Sequence, residues 1–361
     1  MADAPTLSEL TTLRLGGPAA SLVETRDEQE LVAAVRAADD AGEALLVLAG
    51  GSNVVVADAG FPGTVLRIAT GGVARSEPAD GRVRLDVQAG ENWDTLVAAC
   101  VADGLAGVEA LSGIPGSVGA TPIQNVGAYG QEVASVITAV RAYDRVTEEI
   151  CVLGPEDCAF AYRSSAFKRQ PQRWVILEAS YELGHSELSD PVRYGELARR
   201  LEVQPGGRAP LADVRSAVLE LRRGKGMVLD PDDADSVSAG SFFTNPVLDE
   251  QAFSELQRRA AAQPGGEPPA WRQPDGSVKT SAAWLIERAG FTRGQGNPDG
   301  IAISSKHTLA LTNRGGGTTR ELVALAHEIA GGVRDAFGVE LVPEPVFVGH
   351  RWDISPATVG P

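Results

Sequence analysis

Cysteine, histidine, aromatic residues and positive charge are all in short supply in this 361-residue chain, and each shortage removes a class of function. Three cysteines, Cys100, Cys151 and Cys158, are too few for a disulfide framework, and none lies in a CxxC pair. The four histidines, His185, His307, His327 and His350, are scattered, so no zinc pattern is present and no metal is expected. No stretch approaches the roughly 18 apolar residues of a membrane span. The opening residues, MADAPTLSEL, have neither the basic nor the apolar region of a signal peptide, so a cytoplasmic location is expected. Basic residues are outnumbered, 32 Lys+Arg against 48 Asp+Glu, for a net charge of −16. Sequence-independent affinity for nucleic acid or anionic membrane needs clustered Lys and Arg, so neither partner is expected.

The remaining composition is ample for folded domains. Apolar residues make up 43% of the chain, and its length suits two or three domains. Glycine is in excess, at 41 residues with no collagen-like period, which points to tight turns and close backbone approach to a ligand. Thr25 and Glu28 read as a capping box ahead of a helix with Leu31, Val32 and Val35 on one face. A short strand at Leu45–Leu48 leads into Gly50-Gly51-Ser52-Asn53. Alternating Val83, Leu85, Val87 and Ala89 predict a half-buried strand, and Trp93, Leu96 and Cys100 a helix. Strands are expected at 136–143, 150–153 and 174–183, then a helix at 212–223 and a linker beginning at Leu229. Further helices are expected at 249–262, 281–289 and 318–337, the last with a capping box of Thr318 and Glu321. Strands are expected at 309–311 and 341–348, and surface loops at 263–276 and 292–300. The fold class is α+β with mixed sheets, divided as 1–70, 71–228 and 229–361.

Four segments carry residue types suited to chemistry. The block Gly113-Ile-Pro-Gly-Ser-Val-Gly-Ala-Thr-Pro-Ile-Gln-Asn-Val-Gly-Ala-Tyr-Gly130 has glycines that permit positive φ and leave N–H groups open, as a diphosphate cradle requires. It is neither a Walker A nor a GxGxxG sequence, and an irregular loop is an equal reading of its spacing. Arg163 lies in a mostly apolar segment, where it either meets an anion or snorkels to solvent. Ser241, between Gly240 and two phenylalanines, offers a hydroxyl in a dry setting or simply forms a turn. Glu344, flanked by Pro343 and Pro345, sits at an edge or irregular position, either solvated or aimed into a site.

Taken together these segments resemble one family, the UDP-N-acetylenolpyruvoylglucosamine reductases (MurB). The matching stretches are Thr11-Thr-Leu-Arg-Leu-Gly-Gly17, Ala49-Gly-Gly-Ser-Asn53, the block from Gly113 to Glu132, Tyr162-Arg-Ser-Ser-Ala-Phe-Lys168, Gly240-Ser-Phe-Phe-Thr-Asn-Pro246, Ser281-Ala-Ala-Trp-Leu-Ile286 and Pro343-Glu344. They occur in the family's order over residues 11–349. The resemblance implies two N-terminal subdomains of the vanillyl-alcohol-oxidase (PCMH) type that hold FAD, and a C-terminal α+β substrate domain. It implies reduction of the enolpyruvyl ether to the lactyl ether of UDP-N-acetylmuramate, with NADPH as hydride donor, for peptidoglycan synthesis.

By the same resemblance Ser241 is the proton donor, and Arg163 and Glu344 complete the catalytic set. The FAD-contacting positions are Gly50, Gly51, Ser52, Asn53, Gly113, Gly116, Ser117, Gly119, Ala120, Gln124, Asn125, Gly127 and Ala128. Tyr162, Asn245 and Lys279 match substrate contacts, and Tyr194 resembles the substrate-covering tyrosine of the longer subclass. Thr244 stands where many relatives carry a basic residue, and the tail 350–361 matches nothing. No histidine precedes His185, and Cys100 and Cys151 lie outside the glycine loops, so the flavin is expected to be non-covalent. A monomer is compatible with all of this. Two polyanions must be held by an acidic protein, so local field matters more than net charge. Lys168, Arg222, Arg223, Lys225, Lys279 and Lys306 are the cations to seek near the site. Two other readings stay open: a different oxidase on the same flavin scaffold, or a nucleotide-sugar-binding module without catalysis.

Overall fold

The computed structural model describes residues 5–77, 81–263 and 265–352. The chain forms two compact units. The first comprises Ala19–Gly51 and Pro62–Val228; the second comprises Thr6–Pro18, Ser52–Phe61 and residues 229–352. The chain therefore enters the second unit twice before residue 62.

Among the described residues, the first unit has two sheets of three or more strands and one short hairpin. In the smaller, the strand Phe61–Ile68 lies between Ala19–Thr25 and Leu45–Leu48, and it runs parallel to the latter. The helix Glu28–Asp40 packs here, with Leu31, Val32 and Val35 buried as expected. Its N-cap is Asp27, whose carboxylate accepts the Glu30 N–H at 2.8 Å, so the Thr25–Glu28 box does not form. Both residues suit the role, but Thr25 is already the last residue of a strand. The larger sheet runs in the order Glu149–Leu153, Ile137–Asp144, Trp174–His185, Arg82–Gln88, Val73–Ser76, all antiparallel. Val83, Leu85 and Val87 point inward while their neighbours do not, the period of two that a half-solvated sheet imposes.

The first core is wired to the glycine block by polar contacts as well as packing. Trp93, at the start of the helix Trp93–Ala102, donates its indole N–H to the Leu111 carbonyl at 3.2 Å. The Tyr181 hydroxyl meets that of Thr121 at 2.8 Å, and the two rings, Trp93 and Tyr181, lie 5.8 Å apart. Both hydrogen bonds are buried, where leaving a partner unmade costs about 1–3 kcal/mol, so they fix the block at two points.

The second unit is built around the helix Thr319–Phe337, which buries Leu322, Ala326, Ile329, Ala330, Val333 and Phe337 along one stripe. The expected capping box is present, with Thr318 and Glu321 bonding each other's backbone N–H groups. Asp58 adds acceptors for the next two N–H groups, Thr319 at 2.7 Å and Arg320 at 3.0 Å. Beside the helix, Ala310–Asn313 pairs antiparallel with both Ser238–Ser241 and Ile301–Ile303. A second small sheet joins Val247–Leu248, Val278–Lys279 and Trp271–Arg272. Residues 271–272 are thus paired strand rather than the expected loop; two residues are too few for periodicity to register. Of the expected strand 341–348, only Val346–Val348 is regular, and it pairs in parallel with Val54–Val56. The prolines at 343 and 345 remove the donors that a longer ladder would need. No described helix is long and apolar enough to cross a membrane.

Candidate active site

In the first unit the glycine block folds back on the turn that precedes it. A Cβ on Gly50 would fall 2.6 Å from the Gly116 Cα, and one on Gly119 would fall 2.6 Å from the Ala89 Cβ. Neither distance is tolerable, so these glycines are required by backbone contact. One expectation is corrected here. The N–H groups of residues 118–121 are not open donors, because they bond to the carbonyls of Glu91, Ala89, Ser117 and Val118. Gly113, at φ 72°, donates its N–H to Asp94 at 2.6 Å. Asp94 also receives both ends of the Arg215 guanidinium at 2.6 and 3.0 Å. Burial pushes this carboxyl upward, but Arg215 and the Gly113 N–H outweigh it and hold it below the usual carboxylate range.

The end of the block forms a hairpin. Gly127 and Ala128 pair with Glu132 and Gln131, and Tyr129 and Gly130 both take positive φ at the turn. Asn125 is buried, and its side chain is used internally. It accepts from the Ala134 N–H at 3.1 Å and donates to Glu132 at 2.7 Å and to the Ala161 carbonyl at 3.2 Å. That last bond ties the block to the turn carrying Arg163. Ala161 and Ser164 exchange both backbone hydrogen bonds at 3.0 Å, leaving Tyr162 and Arg163 as the central pair of a tight turn. Arg163 has φ 52°, a conformation that a bulky residue adopts only when its surroundings impose it. Its guanidinium donates to the Gly127 carbonyl at 2.7 Å and lies over the Tyr162 ring at 5.4 Å. Lys168 bonds the Arg163 carbonyl at 3.0 Å and so braces the same turn.

A second cluster stands beside Gly113. The helix Leu211–Arg223 buries Leu211, Val214, Ala217 and Val218, and Arg222 falls on that same face. Arg222 donates to the Met227 carbonyl at 2.8 Å. Its buried Nε has no hydrogen-bond partner among the described residues and lies 3.5 Å from where a Gly113 Cβ would be. Burial pushes this guanidinium below its ordinary value. A buried cation not bonded to a carboxylate is costly, and an anionic ligand would relieve the cost. The signal was in the sequence: an arginine on the apolar stripe of an amphipathic helix. Tyr129 and Tyr194 meet edge to face at 5.4 Å, and Lys225, paired with Glu196 at 2.6 Å, stands over the Tyr129 ring. Burial pushes the Tyr129 phenol up to about 12.

In the second unit the structure brings the residues that follow the Ser241 strand beside the irregular segment that carries Glu344, through an antiparallel bridge between Phe243 and Pro343. The Phe242 carbonyl, one residue beyond Ser241, accepts the Glu344 N–H at 2.8 Å, and Thr244 donates to Val342 at 3.0 Å. Phe242 and Phe243, both buried and 5.2 Å apart, wedge this ladder onto the core. Asn53 joins it from the other side, donating its side-chain amide to the Glu344 carbonyl at 3.3 Å and accepting the Val346 N–H at 2.9 Å. Ser52 neighbours Asn53, and its carbonyl accepts from Thr12, which also bonds Ser238. Asn245 accepts the Ala282 N–H at 3.0 Å and so helps cap the helix Ala282–Arg288. Lys279 lies in the small sheet opposite Val247 and Trp271. Lys306, by contrast, is paired with Asp233 at 2.8 Å.

Comparison with known proteins decides the family. Residues 19–153 match the FAD binding domain, and residues 231–348 match the C-terminal domain of UDP-N-acetylenolpyruvoylglucosamine reductase. The UDP-N-acetylenolpyruvoylglucosamine reductase of Thermobifida fusca is 55% identical over 345 residues, covering 95% of this chain and 96% of that one. That of Salinispora arenicola is 57% identical over 344 residues, 95% and 94% of the two chains. The chain belongs to the UDP-N-acetylenolpyruvoylglucosamine reductase family. The fold agrees with the solved MurB reductase of Thermus caldophilus, at 23% identity and a TM-score of 0.62 over 95% and 97% of the two chains.

The residues present fit the FAD that the family binds. The first unit offers a backbone cradle that side chains at Gly50 and Gly119 would fill. It also offers a buried Ser117 hydroxyl and a buried Arg222 Nε, both without hydrogen-bond partners among the described residues. A ligand with acceptors and negative charge answers both.

Proposed function

We propose that this chain catalyses the NADPH-dependent, FAD-mediated reduction of UDP-N-acetylenolpyruvoylglucosamine to UDP-N-acetylmuramate, a cytoplasmic step of peptidoglycan precursor synthesis. The observation that carries the reading is the 2.8 Å backbone bond from the Glu344 N–H to the Phe242 carbonyl, which joins the segments of Ser241 and Glu344 in a chain whose relatives carry this activity in their names. Two subdomains, divided near residue 70, hold the flavin through Gly50, Gly51, Ser52, Asn53, Gly113, Gly116, Ser117, Gly119, Ala120, Gln124, Asn125, Gly127 and Ala128.

Bound FAD, reduced by NADPH, supplies the hydride that the β-carbon of the enol ether receives. Negative charge then develops on the α-carbon and its carboxylate. The Arg163 guanidinium grips that carboxylate and stabilises the charge, a contribution that usually dominates catalysis of this kind. The Glu344 carboxyl, where it carries its proton, donates a hydrogen bond to the same oxygens. The Ser241 hydroxyl transfers its proton to the α-carbon and recovers one from solvent. A serine is a weak acid, but an enolate-like carbanion is basic enough to take its proton, and such catalysis is worth roughly 10²–10⁴-fold. Tyr162, Asn245 and Lys279 contact the nucleotide sugar, and Tyr194 covers it.

The test is optical. The purified protein is expected to be yellow, to bleach on anaerobic addition of NADPH, and to recolour when the enolpyruvyl UDP-sugar is supplied. Bleaching without recolouring by that substrate would contradict the reading.

A further inference from the structure

The chain continues past Val348, the last residue matched by the C-terminal family domain, and Trp352 packs against rings of the segments that carry Ser241 and Glu344. Trp352 stacks flat on His327 of the long helix, with ring centroids 4.1 Å apart and planes within 4°. The same indole lies 6.0 Å from the Phe243 ring and 5.7 Å from the Phe347 ring. Each of those rings belongs to a segment that carries a proposed catalytic side chain. Phe243 follows Ser241 by two residues and bridges to Pro343, which precedes Glu344. Phe347 follows Glu344 by three residues, lies in the strand that pairs with Val54–Val56, and packs edge-on against Phe242.

We propose that Trp352 is a positioning residue for the protonation step. It clamps the segments that carry Ser241 and Glu344 against the helix Thr319–Phe337 from a part of the chain that the family domain does not include. The inference rests on the proposed role of Ser241. Its physical basis is the ladder itself. The regular strand after Glu344 is three residues long, and the prolines at 343 and 345 remove two backbone donors, so hydrogen bonds alone define the Glu344 segment weakly. One flat ring, held by a helix on one side and meeting the Phe243 and Phe347 rings on the other, supplies the missing constraint. Displacements of about 1 Å in such an arrangement cost on the order of a hundredfold in rate.

The experiment uses the FAD-loaded full chain and reads the two half-reactions separately by anaerobic stopped flow. Trp352→Ala is expected to slow reoxidation of the flavin by the enolpyruvyl UDP-sugar by about ten- to a hundredfold. Flavin reduction by NADPH and the KM for the UDP-sugar stay within about twofold, since neither depends on the donor's position. The solvent deuterium isotope effect on reoxidation rises, because the misplaced proton transfer becomes limiting. Trp352→Phe, which keeps a flat face for His327, restores most of the rate. Trp352→Leu keeps apolar bulk and guards against simple misfolding; it is expected to be slow like Trp352→Ala.

Unchanged reoxidation in both Trp352→Ala and Trp352→Leu, with Ser241→Ala still defective, would overturn the clamp and leave the donor standing. Equal slowing of both half-reactions would also overturn it, since that marks a general loss of structure. A normal reoxidation rate in Ser241→Ala would remove the donor and the clamp together.

Discussion

The two units hold their proposed catalytic groups by opposite means. In the first, Arg163 stands at the corner of a two-residue turn with φ 52°, and Asn125 and Tyr129 nearby also take positive φ. That region is strained backbone pinned by side-chain amides, carbonyls and glycines. In the second, Ser241 ends a strand and Glu344 lies in the adjoining irregular segment, the two joined by backbone hydrogen bonds around the Phe243–Pro343 bridge and wedged by aromatic rings; among its described non-glycine residues only Arg14 takes positive φ. A guanidinium that must meet a carboxylate in one orientation profits from a rigid, over-determined turn. A hydroxyl and a carboxyl that act together profit from a shared ladder. The difference also separates the proposed functions: damage to the first unit is expected to strike cofactor binding and charge stabilisation, while damage to the second is expected to strike proton transfer.

That separation can be broken or sharpened experimentally. The largest effect after loss of the donor is expected from Arg163→Lys. A lysine keeps the charge but loses the planar fork, and its single ammonium cannot reproduce the bond to the Gly127 carbonyl together with a carboxylate grip. Reoxidation by the enol ether is expected to fall by roughly 10²–10³-fold with flavin reduction by NADPH retained, as read by stopped flow.

Next is Gly119→Ala. Its Cβ would lie 2.6 Å from the Ala89 Cβ, and such overpacking costs about 1–3 kcal/mol. Released flavin fluorescence and a lowered thermal midpoint are expected together, with both half-reactions impaired. An alanine variant that holds FAD normally would show that the cradle is not set by this contact.

Smaller, and confined to the second unit, is Thr318→Ala. It removes the N-cap of the long helix at a cost of about 0.5–2 kcal/mol, and FAD content should be unchanged. Equilibrium urea unfolding measures it.

The smallest effect is on the acid limb of stability, and it engages both units. Asp94 in the first and Asp235 in the second are held below the usual carboxylate range. Burial opposes this in each case, but Arg215 and the Gly113 N–H outweigh it for Asp94, and Ser305 and Arg314 outweigh it for Asp235. Both depressed values favour the fold above the ordinary carboxylate pKa, and that contribution is lost as pH falls through the native value. Asp94→Asn and Asp235→Asn are each expected to flatten the decline of the urea midpoint below about pH 4.

Local pattern carried much of this architecture. The Thr318–Glu321 box, the alternation of Val83, Leu85 and Val87, and the helix 211–223 all formed within a residue or so of expectation. The failures share a cause. Asp27 displaced Thr25 as a cap because two nearby residues could serve and only tertiary context chooses between them. The strand Ile301–Ile303 and the pair Trp271–Arg272 are too short for a period to declare itself. Residues 6–18 and 52–61 join the second unit through bonds such as Asn313 to the Leu13 carbonyl, whose partners lie 300 positions apart. At the site, the motifs pointed to Arg163, Ser241 and Glu344, but not to the turn strain at Arg163 or the indole at Trp352, which exist only once distant segments pack.

The most direct measurement is single-turnover flavin spectroscopy on Ser241→Ala. Bleaching by NADPH is expected at the wild-type rate, and recolouring by the enolpyruvyl UDP-sugar is expected to be slower by roughly 10²–10⁴-fold. Recolouring at the wild-type rate would contradict the assignment of the proton to this hydroxyl.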